Sequence, residues 1–241
     1  MSSLTYDGHD FSTLFAYGDP DISMLNAKPD LREVSGRDGA AFVGMTYGTS
    51  TVSFAIEAQG SASERRAAFS TLGMWLDVDE PKRLVLPDTP DRFYFAVPSG
   101  DISLSRAIGA EMAKITFELT DPIAYGTYKT ESLASGGSKS ITVGGTARTF
   151  LRVVANSAVR NSTSLVWGVK VDDVDFVHVA TGSSSSRKVE IDSQARTCKV
   201  ANALTLPTLD STWLELAPGS HTVAMDNGSG AAALYWYERW Y

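Results

Sequence analysis

Apolar and polar side chains alternate one by one through Ala113, Ile115, Phe117 and Leu119, with Lys114, Thr116 and Glu118 between them. Alternation of this kind sends the two sets to opposite faces of the backbone and predicts a half-buried strand over Glu111 to Leu119. The run enters a turn at Asp121-Pro122. The chain then loses regular pattern through Ser132-Leu133-Ala134-Ser135-Gly136-Gly137-Ser138, a composition suited to a flexible connection or an exposed loop. A boundary near Gly126 follows, and with it two domains, 1–126 and 127–241.

Upstream, patterning is weak over Leu4 to Phe11 and Leu14 to Tyr17. A polar stretch from Asn26 to Gly39, with Pro29 and the mixed charges Asp30, Arg32, Glu33, Arg37 and Asp38, reads as a long loop. Loops of this length are uncommon inside compact domains unless they serve a purpose, and an arm reaching a neighbouring subunit is one such purpose. A surface loop without a partner is the other reading. Strands are predicted at Ala41 to Tyr47 and Thr51 to Glu57. Ser61-Ala62-Ser63-Glu64 then has the spacing of a capping box, and Ala68, Phe69, Leu72, Trp75 and Leu76 form one helical stripe that must lie on a sheet. Pro81 closes that segment. Further strands follow at Lys82 to Leu86, Arg92 to Val97 and Ile102 to Ala107, separated by proline- and glycine-containing turns.

The second half is strand-only by pattern: Lys139 to Val143, Thr149 to Ala155, Ser164 to Val171, Asp175 to Thr181, Arg187 to Asp192, Thr197 to Ala201, Thr212 to Leu216, His221 to Asp226 and Ala231 to Trp240, with Ser183 to Ser186 as a loop tip. The fold class is therefore mainly β: two β-sandwich domains, the first with one packed α-helix. In the aromatic ending, Leu234 and Trp236 point to the core, whereas Tyr235 and Tyr237 point outward or toward the first domain. Packing, a protein interface and sugar stacking are all open to them.

Composition narrows the function more than it names one. A chain of 241 residues with 43% hydrophobic content needs no metal or disulfide staple. Cys198 is solitary and reads as a small apolar group in a strand, in keeping with a reducing compartment. No signal-like opening and no apolar run of bilayer length is present, so neither a cleaved leader nor membrane insertion is expected. Residues 1–125 carry 10 Lys+Arg against 18 Asp+Glu, and residues 126–241 carry 11 against 10. A negative field on the first domain disfavours nonspecific attachment to nucleic acid. It also serves simply to keep a surface soluble.

Candidate chemistry is sparse. His9, His178 and His221 are the available bases, and none neighbours a Gly-x-Ser-x-Gly elbow. The acidic groups Asp77 with Asp79 and Glu80, Asp172 with Asp173 and Asp175, and Glu190 with Asp192 have carboxylates for calcium or glycoside hydrolysis. No Asp-x-Asp-x-Asp-Gly loop accompanies them, and Asp172-Asp173 falls where a hairpin turn is expected. Phosphate-cradling glycine motifs and cysteine metal motifs are missing from the sequence. No catalytic, cofactor-binding or metal-binding residue is assigned.

Several stretches carry a resemblance: Asp7-Gly8-His9-Asp10-Phe11, Arg37-Asp38-Gly39, Leu84-Val85-Leu86-Pro87-Asp88, Arg92-Phe93-Tyr94-Phe95-Ala96, the strand from Ile115 into Asp121-Pro122-Ile123-Ala124-Tyr125, and Leu216-Ala217-Pro218-Gly219-Ser220-His221-Thr222-Val223. In this order and spacing the chain resembles the distal tail protein family of long-tailed, siphovirus-type bacteriophages. The resemblance implies a ring-forming amino-terminal β-sandwich and a galectin-like carboxy-terminal β-sandwich. It implies a hexameric ring at the distal end of the tail, meeting the tail tube on one side and the tail-tip hub and a receptor-binding protein on the other, with DNA passing through the lumen unbound. Assembly would occur in the host cytoplasm. Family members use an elongated loop of the first domain to grip the next protomer, which directs attention to Pro29, Arg32, Arg37 and Asp38, with the sheet edges flanking Thr51 to Glu57 as a complementary patch. Tyr235 and Tyr237 are the interface candidates of the second domain. A different class remains beside this one: a carbohydrate-binding module that attaches a tail or secreted protein to cell-surface glycans, with Tyr235 and Tyr237 as its stacking residues. A glycosidase or peptidoglycan hydrolase is the third reading.

Overall fold

In a computed structural model, the described residues are 3–23, 25–102, 104–107, 110–182 and 185–241. Ser183 and Ser184 of the expected loop tip, and Ser103 of an expected strand, lie outside them. The chain divides into two compact units, residues 1–125 with Tyr241, and Gly126–Trp240.

The first unit is built on a nine-stranded antiparallel sheet. Its main order runs His9–Asp10, Thr5–Tyr6, Lys82–Val85, Tyr94–Ser99, Ala110–Leu119, Ser50–Ala58 and Ala16–Tyr17. The alternation that predicted the long strand is realised in its burial: Ala113, Ile115, Phe117 and Leu119 are buried, facing Ile56, Phe54 and Val52 across the ladder. Tyr6 and Phe117 are three strands apart, about 14 Å in a flat sheet. Their ring centroids are 4.6 Å apart, which marks a sheet curled around its apolar face. Helix α1, Ala62–Leu76, begins in the capping box read from the sequence: Ser61 Oγ accepts from the Glu64 amide, and Glu64 accepts from the Ser61 amide at 2.7 Å. Ala68 and Leu72 bury into the core, and Phe69, Trp75 and Leu76 pack at its margin.

Asn26 to Gly39 is not the loop that its polarity suggested. Ala27–Glu33 is a strand, paired antiparallel with Ala40–Tyr47 in a two-stranded ribbon that, among the described residues, joins no other sheet. Pro29 is tolerated because both members of such a ribbon are edge strands. The strand Ser50–Ala58, by contrast, is interior: Ala110–Leu119 flanks it on one side, and Ala16–Tyr17 and Asp21–Ile22 on the other. Its edges are occupied within the chain.

The second unit is a sandwich of a seven-stranded and a four-stranded antiparallel sheet. The larger runs Ala124–Leu133, Ala232–Trp240, Arg152–Arg160, Arg187–Asp192, Thr197–Val200 and Ala203–Thr205, with Gly228–Ser229 pairing on Arg152–Arg160. The smaller runs Ser138–Val143, Gly219–Asp226, Val166–Val171 and Asp175–Ala180. Between them lie Val153, Ile191 and Leu234 from one sheet and Ile141, Val169, Val177 and Val223 from the other. Trp167 is fully buried and donates its indole N–H to the Ser229 carbonyl at 3.1 Å. Cys198 is buried in the same core, which pushes its thiol up to about 11.

Of the segment expected to be a flexible connection or an exposed loop, Ser132 and Leu133 end a strand of the sandwich, and Ala134 to Gly136 form an exposed turn. Ala124–Leu133 is one continuous strand, Leu133 is fully buried, and Ala134 to Gly137 is a tight turn closed by a Gly137 N–H to Ala134 carbonyl bond of 3.0 Å. Its small residues fit because Gly136 has φ +62°, a conformation that glycine adopts without strain.

Candidate assembly surfaces

Cross-strand register shows how the ribbon is organised. Ala27 lies opposite Tyr47, Pro29 opposite Met45 and Leu31 opposite Phe42, with a bulge between Asp30 and Leu31. Directly opposed residues share a face. One face is therefore apolar from Ala27 to Leu31 and ends in Glu33, and the other carries Lys28, Asp30 and Arg32 with Thr46 and Ala41. Leu31 is 56% exposed and Phe42 63% exposed, so the described residues leave the apolar face open at these positions. Of the candidate residues, Pro29 and Arg32 sit on the first strand of the ribbon. Arg37 and Asp38 sit at its tip, where the Arg37 N–H bonds the Val34 carbonyl at 3.1 Å and Gly36 and Gly39 both have φ +79°. The signal that would have revealed the strand was present: Ala27, Pro29 and Leu31 alternate with Lys28, Asp30 and Arg32.

Tyr235 and Tyr237 lie on the outer face of the seven-stranded sheet, while Leu234 and Trp236 are buried beneath. A third tyrosine joins them that the sequence did not suggest. Tyr128 lies nearly parallel to Tyr235 with centroids 5.9 Å apart and contacts Tyr237 at 4.6 Å. Arg152 lies over Tyr235 at 5.9 Å, and its Nη2 holds Glu190 Oε1 at 2.7 Å. That contact holds the Glu190 carboxyl below its ordinary range. The pair Glu190 and Asp192 thus belongs to this face.

His178 and His221 are held by local partners. His178 Nε2 lies 2.6 Å from Asp226 Oδ2, and Asn227 donates to the same oxygen at 3.2 Å. The nearby Ser211 hydroxyl accepts from the His178 backbone N–H at 3.1 Å, so it is aligned with the backbone and not with the ring. His221 has both ring nitrogens committed, Nδ1 to Asp172 Oδ2 and Nε2 to the Ala217 carbonyl, each at 2.7 Å. Asp172 and Asp173 form the hairpin turn, with φ of 51° and 58°. His9 stacks on Trp75 at 4.8 Å, beside a cleft of about 410 Å³ that also contains Asp77, Asp79 and Glu80. Glu80 is paired with Lys82 at 2.9 Å. Among the described residues, no three His, Cys, Asp or Glu side chains converge as metal ligands, and no helix is long and apolar enough to cross a membrane.

The scaffold is mainly β, with an exposed two-stranded ribbon in its first unit and an aromatic outer face in its second. Family models place it further: residues 6–119 match the phage tail protein RIFT-related domain, and residues 144–240 match the siphovirus-type tail component, C-terminal domain. The chain belongs to the distal tail protein family of siphoviruses, a family of structural tail components. Among solved structures, the Dit protein (gp 19.1) of phage SPP1, described as a paradigm of the hub adsorption apparatus in phages infecting Gram-positive bacteria, matches with a TM-score of 0.75 at 17% identity, over 98% of both chains. Chains of the phage P2 baseplate in its activated conformation match with TM-scores of 0.51 for the calcium form and 0.52 for the strontium form, at 12% and 11% identity, over 95% of this chain and 92% of each of those. A search of curated proteins found no match.

Proposed function

We propose that copies of this chain close into a hexameric ring at the distal end of a phage tail, joining the tail tube to the tail-tip hub and its receptor-binding apparatus. The carrying observation is the ribbon Ala27–Tyr47. An isolated two-stranded hairpin is marginal in water, and this one exposes Leu31, Phe42 and Met45 on one face. A neighbouring copy would bury that face and stabilise the ribbon at once. Ring closure by heterologous contacts requires a different patch on the receiving copy. The interior position of Ser50–Ala58 removes its edges as that patch.

Residues 1–125 carry 10 Lys+Arg and 18 Asp+Glu, a field suited to a lumen through which DNA passes without sticking. No bond-making step is assigned, because among the described residues no nucleophile is aligned with the ring of His178 or His221. The unreactive, buried Cys198 is compatible with assembly in the host cytoplasm. The similarity to SPP1 Dit and the P2 baseplate chains supports the same placement in the virion. The test is native mass measurement and electron microscopy of the full chain over a concentration series. A six-membered ring is the expected species; a monomer at every concentration and in tail preparations would overturn the reading.

A further inference from the structure

Register aligns one transverse row across the larger sheet of the second unit. Tyr235 lies opposite Arg152, Arg152 lies opposite Asp192 on its other side, and Asp192 lies opposite Thr197. Tyr128, from the edge strand, lies nearly parallel to Tyr235 with centroids 5.9 Å apart and is 45% exposed. At the polar end a small recess of about 60 Å³ is lined by Arg152, Glu190, Asp192, Thr197 and Lys199. That is room for about two waters, or for a hydroxyl or hydroxymethyl group.

The charges constrain what the face can take. Arg152 is held to Glu190 at 2.7 Å, and Lys188 lies 3.8 Å from the same carboxylate. An anion arriving there meets Glu190 and Asp192, and a cation meets Arg152 and Lys199, so a strongly charged ligand gains little. A neutral polyhydroxylated ring gains from both ends. Its C–H face is attracted to the electron-rich face of a tyrosine, and its hydroxyls, each a donor and an acceptor, find a fixed guanidinium and fixed carboxylates. Arg152 serves both ends, lying over Tyr235 at 5.9 Å and holding Glu190 at 2.7 Å.

We propose that this face is a saccharide-binding site, in which a neutral pyranose stacks on Tyr128 and Tyr235 while Arg152, Glu190 and Asp192 read its hydroxyls. The site lies wholly within one unit and forms in a single copy, so it goes beyond the ring and does not depend on it.

The test uses the full chain and saturation-transfer NMR, which tolerates a large assembly, with glucose, galactose, N-acetylglucosamine, N-acetylgalactosamine and rhamnose, their linear oligomers, and glycerol phosphate as the charged comparison. At least one neutral sugar is expected to bind with millimolar or tighter affinity, with saturation strongest on its ring protons. Tyr235→Ala and Tyr128→Ala should each weaken binding about tenfold or more, while Tyr235→Phe stays within about threefold. Arg152→Lys should also weaken it, because an ammonium cannot keep the planar fork. Unchanged melting of each variant shows that the loss is local. No neutral sugar binding at up to about 50 mM, binding that survives both alanine variants, or a preference for glycerol phosphate would overturn the proposal. So would finding this face buried by another protein in assembled tails.

Discussion

Two hairpins in this molecule follow the same local pattern and meet opposite environments. In the second unit, Val166–Val171 pairs with Asp175–Ala180, placing Trp167 opposite Val179 and Val169 opposite Val177, and all four are buried. In the first, Ala27–Glu33 pairs with Ala40–Tyr47, placing Pro29 opposite Met45 and Leu31 opposite Phe42, and all four are exposed. Alternation determines which residues share a face; it carries no information on whether the same chain covers that face. The first hairpin draws its stability from its own sandwich. The second leaves its apolar face open among the described residues, and this asymmetry makes the two separable by mutation.

The largest effect is expected in the buried hairpin. Trp167→Ala removes a fully buried ring and its bond to Ser229, and should cost about 3–5 kcal/mol in denaturant unfolding of the second unit. In the ribbon, Leu31→Ser with Phe42→Ser should leave protomer unfolding within about 0.5 kcal/mol of the parent, the usual range for surface changes. The same double variant should weaken self-association by about 2 kcal/mol or more, roughly thirtyfold, read by sedimentation across a dilution series. A ribbon variant that melts the protomer while leaving association intact would show that the face is covered within the chain and would erase the contrast.

A smaller effect belongs to the element that local sequence specified best. Ser61→Ala removes the acceptor for the Glu64 amide and should cost about 1 kcal/mol of stability in the first unit. The start of α1 was legible because a capping box is closed by residues three apart, with no help from tertiary contacts. The central strand Ala110–Leu119 was legible because one of its faces is buried along its whole length. The ribbon's first strand was missed because its charged alternates outweighed a short apolar series containing a proline, whereas its second was expected at Ala41 to Tyr47 and is found at Ala40–Tyr47. Tyr128 was missed for a related reason. Its strand lies at the edge of the sheet, and through Thr127-Tyr128-Lys129-Thr130-Glu131 no residue is buried, so the period-two signal vanishes until Leu133. The site on the outer face therefore stayed half-drawn, with Tyr235 and Tyr237 visible and Tyr128 and Arg152 supplied only by strand order.

The smallest effect tests how the buried hairpin is fastened at its turn. Asp172 accepts the Thr222 amide at 2.7 Å and holds His221 Nδ1, while His221 Nε2 faces the Ala217 carbonyl. Two acceptors require two N–H groups, so the fastening is complete only with a protonated imidazole. The His221 ring is shifted above its ordinary 6.5: burial pulls it down, but the Asp172 carboxylate and the Ala217 carbonyl outweigh burial. Asp172 is shifted below its ordinary 3.8, chiefly by the Thr222 amide and then by His221. A raised histidine contributes stability that is fully present below 6.5 and is lost as pH rises through the folded value. A depressed carboxylate contributes stability present above 3.8 and lost as pH falls through its folded value. Stability of the second unit should therefore have a plateau between those limits and decline on both sides. The amplitude should be below about 1 kcal/mol, because the pair is partly in solvent. His221→Gln should flatten the alkaline decline and leave most of the acid one, since the Thr222 amide still holds the carboxylate. The Trp167 indole, which does not titrate, sets the height of the plateau but not its edges; an alkaline decline that persists unchanged in His221→Gln would place its origin elsewhere in the fold.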